Sequence, residues 1–223
     1  MTLLAIDTSA NLCAVCVWDS AAAIASITED IGTGHAELLM GMIDDALAQA
    51  GKVYADLTRI GVVIGPGSFT GVRVGVSTAR GLALALNIPA VGVTTLQGLA
   101  HEAQALHPGR PVLAVIDARR EQLYSASYDA TGSLIAEPAV LDAEATASRA
   151  GGTDLVLTGS GSTALSAFLP NSEILAHSAT ASIETYARIA ATMPVGADKP
   201  KPLYLRGADA KPQASFVLPG RDG

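Results

Sequence analysis

Aromatic side chains are scarce in this chain, at 4% of its 223 residues, and charged residues make up only 16%. With hydrophobic residues at 49%, the low charge excludes wholesale disorder, because enough apolar surface is present to offset the entropy of ordering the chain. Ala, Val and Leu supply most of that apolar share, and such small side chains suit helices packed closely on sheets. Only four histidines occur, His35, His101, His107 and His177. No two have the H-x-x-x-H spacing that places a pair of metal ligands on one helical face. The two cysteines, Cys13 and Cys16, form a C-x-x-C inside the alternating run Leu12 to Trp18. A strand puts residues three apart on opposite faces, so neither a redox pair nor half a zinc site is expected. Long apolar runs are absent as well. The longest uncharged window, Gly81 to Ala100, contains Asn87, Pro89, Gly92 and Gln97 and suits helix, turn and strand better than a membrane span. No basic region precedes the first apolar run, and Asp7 interrupts it, so the chain is expected to be cytoplasmic.

Positive charge is also in short supply. The formal net charge is −7, which disfavours tight RNA binding by this chain alone, since phosphate affinity comes largely from Lys and Arg. Five of the 14 basic residues, Lys199, Lys201, Arg206, Lys211 and Arg221, lie beyond residue 198. That tail is able to touch an acidic partner or RNA, but a solvated tail is the plainer reading.

What is present is a repeat. Strands are expected at Thr2 to Ile6, Leu12 to Trp18 and Ile24 to Glu29, a three-stranded meander. An amphipathic helix follows from Ala36 to Ala50, its apolar positions being Leu38, Leu39, Met42, Ile43, Ala46, Leu47 and Ala50. Ile60 to Ile64 is a buried strand, Thr70 to Leu86 a second helix and Ala90 to Val93 a short strand. The second half restarts with Val112 to Ile116, then Gln122 to Tyr128 and Leu134 to Leu141. Asp142 caps a short helix, Leu155 to Leu157 is a strand, and a helix is expected from the Gly159-Ser160-Gly161-Ser162 loop to Phe168. Ile183 to Met193 is the last helix. Each half runs β-β-β-α-β with a Gly/Ser loop before the next helix, and each first strand ends in Asp (Asp7, Asp117). Two α/β lobes on mixed sheets are predicted, residues 1–104 and 105–223.

The most distinctive stretch is Gly65-Pro66-Gly67-Ser68-Phe69-Thr70-Gly71-Val72-Arg73. Glycines before a helix N-terminus can admit a phosphate, but neither a P-loop nor a G-x-S-x-G elbow is present. A tight strand-to-helix turn with glycines serving packing is an equal reading. In the helix that follows, Gly71, Gly75, Thr78 and Ala79 share one face, which suits close approach of another element. Arg73, Ser77 and Arg80 form a polar stripe on another. Asp7-Thr8-Ser9 either holds a nucleotide's metal–phosphate group or is a turn bonding its own backbone. No catalytic residue and no metal ligand set stands out.

The runs Leu4 to Ser9, Gly65 to Leu84 (GPGSFTGVRVGVSTARGLAL), Ile116 to Arg119 with Tyr124, and Pro202 to Arg206 resemble the bacterial TsaB family, also called YeaZ. The resemblance extends from about Leu3 to about Arg206. It implies an actin-like ATPase fold of two RNase H-like lobes. It also implies a role in forming N6-threonylcarbamoyladenosine at position 37 of tRNAs that read codons starting with A. In that family the chain supports a TsaD-type transferase and works with a TsaE-type ATPase, while TsaC makes the donor. The catalytic relative carries a metal-binding H-x-x-x-H after a strand like Pro89 to Val93; here those positions are Thr95 and Leu99. The resemblance therefore implies a non-catalytic scaffold, a homodimer when alone, that meets tRNA only through the complex. It implies a partner surface on the first two helices, with His35, Leu38, Leu39, Met42, Ile43, Val72, Arg73, Val76, Arg80 and Ala83 as candidates. Asp7, Thr8, Ser9, Gly159 and Gly161 are the candidates for touching a nucleotide, with ATP or ADP expected, if anywhere, at the complex interface. The alternative is an independent actin-like ATPase or kinase.

Overall fold

The computed structural model describes residues 1–196 and 198–206. Lys211 and Arg221 of the basic tail lie outside those residues. The first repeat opens with β1 (Thr2–Asp7), β2 (Leu12–Asp19) and β3 (Ala22–Asp30), continues through α1 (His35–Gln49) and β4 (Arg59–Val63), and closes with α2 (Phe69–Leu86) and β5 (Ala90–Val93). Its sheet has the order β3-β2-β1-β4-β5, antiparallel across the meander and parallel from β1 outward. After α3 (Thr95–Leu106) the second repeat forms β6 (Val112–Asp117), β7 (Leu123–Tyr128), β8 (Leu134–Leu141), α4 (Ala143–Arg149), β9 (Val156–Thr158) and β10 (Glu173–Ala176). Its sheet, β10-β9-β6-β7-β8, read from its other edge has the same order as the first. The chain thus adopts the two-lobed, duplicated architecture expected from the resemblance.

One expectation is corrected. The helix expected to run to Phe168 is a single 3-10 turn, Ser162–Leu165; Gly and Ser leave too little apolar face to extend it. Strand β10 and helix α3 were not anticipated. Helix α3 starts where Thr94 accepts a cap bond from the Gln97 amide, and its small residues Gly98, Ala100 and Ala103 are buried.

Helix α3 packs on β6, β7 and β9 of the second sheet, while the last helix, α5 (Ile183–Thr192), packs on β1, β2 and β4 of the first. The two helices cross where a Cβ on Gly98 would fall 2.2 Å from Tyr186 Cε1. Each repeat therefore lends its last helix to the other sheet. Their shared core joins Leu3, Ala5 and Trp18 of the first sheet to Val112, Ala114 and Ala126 of the second. Arg59 on β4 fixes α5 by donating to the carbonyls of Ala190, Ala191 and Met193 at 2.7, 3.2 and 2.8 Å, which satisfies orphan acceptors at the helix end. At its other end Glu102 of α3 accepts from the Ser182 amide and the Thr185 hydroxyl.

Cys13 and Cys16 are buried on opposite faces of β2, as the alternation predicts. Burial pushes their thiols up to about 11 and about 12 respectively, so both stay protonated and inert.

Candidate functional site

The strand-end turn Asp7-Thr8-Ser9 is buried throughout, at 1%, 0% and 2% exposure. Asp7 Oδ1 accepts from the Ser9 amide at 2.8 Å and Oδ2 from the Thr180 hydroxyl at 2.6 Å. Thr180 in turn bonds Tyr186 OH at 2.8 Å, which also accepts from the Ala181 amide. Burial raises the Asp7 carboxyl above its usual range, and the bonds from Ser9 and Thr180 only partly offset this. Thr8 Oγ1 donates to Gly71 O at 2.7 Å.

The glycine loop presses directly on this turn. A Cβ on Gly67 would lie 2.2 Å from Ser9 O, and one on Gly71 2.0 Å from Thr8 O. The Ser68 amide donates to Ser9 O, and the Ser68 hydroxyl caps α2 by accepting from the Gly71 amide. The missing side chains are what let backbone reach backbone. The second repeat uses the same device: a Cβ on Gly159 would sit 2.2 Å from Val115 O, and one on Gly161 2.7 Å from Val115 Cγ1. Of the two readings of the glycines, packing is the one the geometry carries. Asp7, Thr8, Ser9, Gly159 and Gly161 are all buried, so they offer a nucleotide no surface within this chain and do not fit one. Thr95 and Leu99, each 1% exposed, cannot rebuild a metal site. Among the described residues no group of three or more His, Cys, Asp or Glu is placed to hold a metal ion.

Helices α1 and α2 cover the outer face of the first sheet. Their candidate residues divide between two faces. Leu39, Met42, Ile43, Val72 and Val76 are buried in the core against Leu4, Ile6, Val15 and Val62. His35 is also buried, with Nε2 facing the carbonyls of Ala10 and Leu12 at 3.1 and 3.2 Å, so that nitrogen carries the proton. These six are corrected from surface to interior: the apolar stripe that marks them is the stripe that binds the sheet. Leu38, Arg73 and Arg80 are exposed and Ala83 is half-buried.

Four large apolar side chains of these helices stay exposed. Leu38 and Met40 on α1 are 42% and 43% exposed, and Phe69 and Leu84 at the two ends of α2 are 55% and 75% exposed. Between the helices runs an open groove of about 410 Å³ lined by Ala36, Thr70, Arg73, Val74, Ser77 and Thr78. Arg73 stacks on Phe69, its guanidinium carbon 3.6 Å from the ring centroid. Phe69 and Tyr204, which flank Arg73, were given no role in the sequence; an aromatic directly after a helix cap, where a polar residue is usual, was the available signal.

The comparisons place the chain in a family. The family model for TsaD, tRNA N6-adenosine threonylcarbamoyltransferase, matches residues 27–195. A Pseudomonas aeruginosa protein described as similar to peptidase YEAZ superimposes with a TM-score of 0.77 at 31% identity, covering 92% of this chain and 99% of its own. The chain belongs to the TsaB (YeaZ) family. Family members named tRNA threonylcarbamoyladenosine biosynthesis protein TsaB are 38% identical in Escherichia coli over 57% of this chain and 35% identical in Bacillus subtilis over 60%. The chain spans 55% and 58% of those two proteins, about half the length of the curated relatives it matches. An uncharacterised protein of Mycobacterium tuberculosis is 37% identical over 81% of this chain and 79% of its own length. Component A of (R)-2-hydroxyglutaryl-CoA dehydratase from Acidaminococcus fermentans shares the fold, with a TM-score of 0.50 at 12% identity. Among the described residues no helix is long and apolar enough to cross a membrane.

Proposed function

We propose that this chain is a non-catalytic partner subunit in the formation of N6-threonylcarbamoyladenosine at position 37 of ANN-reading tRNAs. Its partner is a TsaD-type transferase, docked on the outer face of α1 and α2. The observation that carries this reading is the exposure of Leu38, Met40, Phe69 and Leu84. These side chains are exposed although the core beneath the same two helices is already filled. Apolar surface left over after the core is packed is what a partner buries, and the flexible thioether of Met40 adapts to it. The filled Asp7 turn supports the same division of labour, because a cleft packed with backbone leaves the chemistry to the partner. Any ATP or ADP then belongs to the assembled complex, with a TsaE-type ATPase as a further component and tRNA reached through the complex. Alone, the chain pairs with a second copy through the same face.

Size-exclusion chromatography with light scattering, on this chain alone and mixed with its organism's TsaD-type subunit, tests the proposal. A homodimer that exchanges into a heterodimer is expected. Two species that ignore each other, with the transferase modifying tRNA equally well by itself, would contradict it. Nucleotide hydrolysis by the purified chain would favour the independent ATPase or kinase instead.

A further inference from the structure

After α5 the chain returns across both repeats as a strap. Pro200 is buried, and the Leu203 amide donates to Ile64 O at 2.8 Å, beside the glycine loop. The Tyr204 ring lies 5.7 Å from that of Phe69, and its hydroxyl accepts from Arg73 Nε at 2.7 Å. Two residues on, Arg206 Nη2 donates to Ala118 O at 3.2 Å and to Gln122 Oε1 at 2.5 Å.

Those two acceptors bracket the most strained turn among the described residues. Arg119, Arg120 and Glu121 have φ of 63°, 54° and 59° in succession, and none is glycine. L-residues adopt this left-handed conformation at a cost, normally singly, so a run of three persists only when its surroundings hold it. Within the turn the Ala118 amide donates to Gln122 O, the Gln122 amide to Arg119 O and the Arg119 amide to Asp117 Oδ1. Arg206 is a cationic clamp on this turn from the strap.

We propose that Pro202–Arg206 is an occupancy sensor: it couples the α1–α2 docking face to the strained hairpin at residues 118–121. The inference rests on the docking reading above. Arg73 lines the groove and also anchors Tyr204. A partner seated on the groove desolvates the Arg73 guanidinium, which then needs a strong acceptor. A carboxylate on the partner outcompetes the neutral Tyr204 hydroxyl, because hydrogen bonds to an ionised acceptor are the stronger ones. Tyr204 then leaves Arg73, the strap loosens, and Arg206 lets go of Ala118 and Gln122. The exposed side chains of Arg119 and Glu121 rearrange as the turn relaxes.

Hydrogen–deuterium exchange on the whole chain tests this, comparing wild type with R73A, R206Q and the milder Y204F. The peptide covering residues 117–123 is expected to exchange about tenfold faster in R73A and R206Q, since a hydrogen bond to a charged group is lost. Y204F should move it in the same direction by less, and β1 should stay protected in all three. Adding the TsaD-type subunit to wild type should slow exchange in α1 and α2 and speed it at 117–123. Unchanged exchange at 117–123 in both R73A and Y204F would overturn the coupling, whatever the partner does. Protection of α1 and α2 without faster exchange at 117–123 would overturn the sensor and leave the docking reading standing. No protection of α1 and α2 would overturn the docking reading and the sensor with it, while the R73A result would still decide whether the strap holds the hairpin.

Discussion

The two repeats share a strand order but not an outer layer. The first sheet is covered outside by helices of 15 and 18 residues. The second has a helix of 7 residues and a 3-10 turn, packed on Leu113, Val115, Leu155 and Leu157. Long helices present two faces, and α1 and α2 use one for the sheet and leave Leu38, Met40, Phe69 and Leu84 exposed among polar residues on the rest. The strand-end acids diverge in the same way. Asp7 is sealed at the heart of the molecule, whereas Asp117 is exposed and bonds the Arg119 amide. Duplication thus yielded one repeat with a long helical outer layer and one with a short one.

The sharpest way to break this comparison is to charge each outer face in turn. The double variant L38D/M40D should weaken association with the TsaD-type subunit at least about a hundredfold by calorimetric titration. L134D or F168D on the second repeat, where both side chains are also exposed, should leave it unchanged.

Backbone contact at the glycines is common to both repeats, so it should respond equally in both. G71A and G159A should each cost about 3 kcal/mol in chemical denaturation, because the new methyl meets a carbonyl oxygen of the neighbouring strand end. Loss in only one repeat would show that the loops are not equivalent.

The exchange of helices between repeats predicts a smaller effect. R59A removes the clamp on the α5 terminus and should cost about 2 kcal/mol in the same assay.

The buried Asp7 should make stability depend on pH. Burial raises the Asp7 carboxyl in the folded state above its reference of 3.8. The folded chain therefore binds that proton more tightly than the unfolded one, and Asp7 lowers stability as pH rises from 3.8 through its folded value. D7N should flatten that decline in melting temperature measured as a function of pH.

Periodicity found α1 and α2 because each has one polar side. Helix α3 escaped because it is buried between two sheets, with Gly98, Leu99 and Ala100 inside alike, and so carries little stripe to read. Strand β10, Glu173–Ala176, opens on a charged residue and lacks the continuous apolar run that marks β5. At the site the resemblance pointed to α1 and α2, yet Leu39, Met42, Ile43, Val72 and Val76 belong to the face that packs on the sheet. Apolar positions at helical spacing identify the face that meets the sheet. The exposed residues Met40, Phe69 and Leu84 are marked only by being apolar off that stripe. Gly65 to Arg73 was legible as special, but whether glycine admits a phosphate or a neighbouring backbone depends on what lies opposite, and that is fixed by residues some sixty positions away, such as Thr8 and Gly71.

Met40 and Met42 offer the most direct test of the docking face, since they are 43% and 5% exposed on the same helix. Peroxide oxidation followed by mass spectrometry, with and without saturating TsaD-type subunit, reads both at once. Met40 should oxidise readily in the free chain and be protected in the complex, with Met42 slow in both and exposed Met1 unchanged. Equal oxidation of Met40 in the two samples, with the complex demonstrably formed, would place the partner elsewhere and contradict the account.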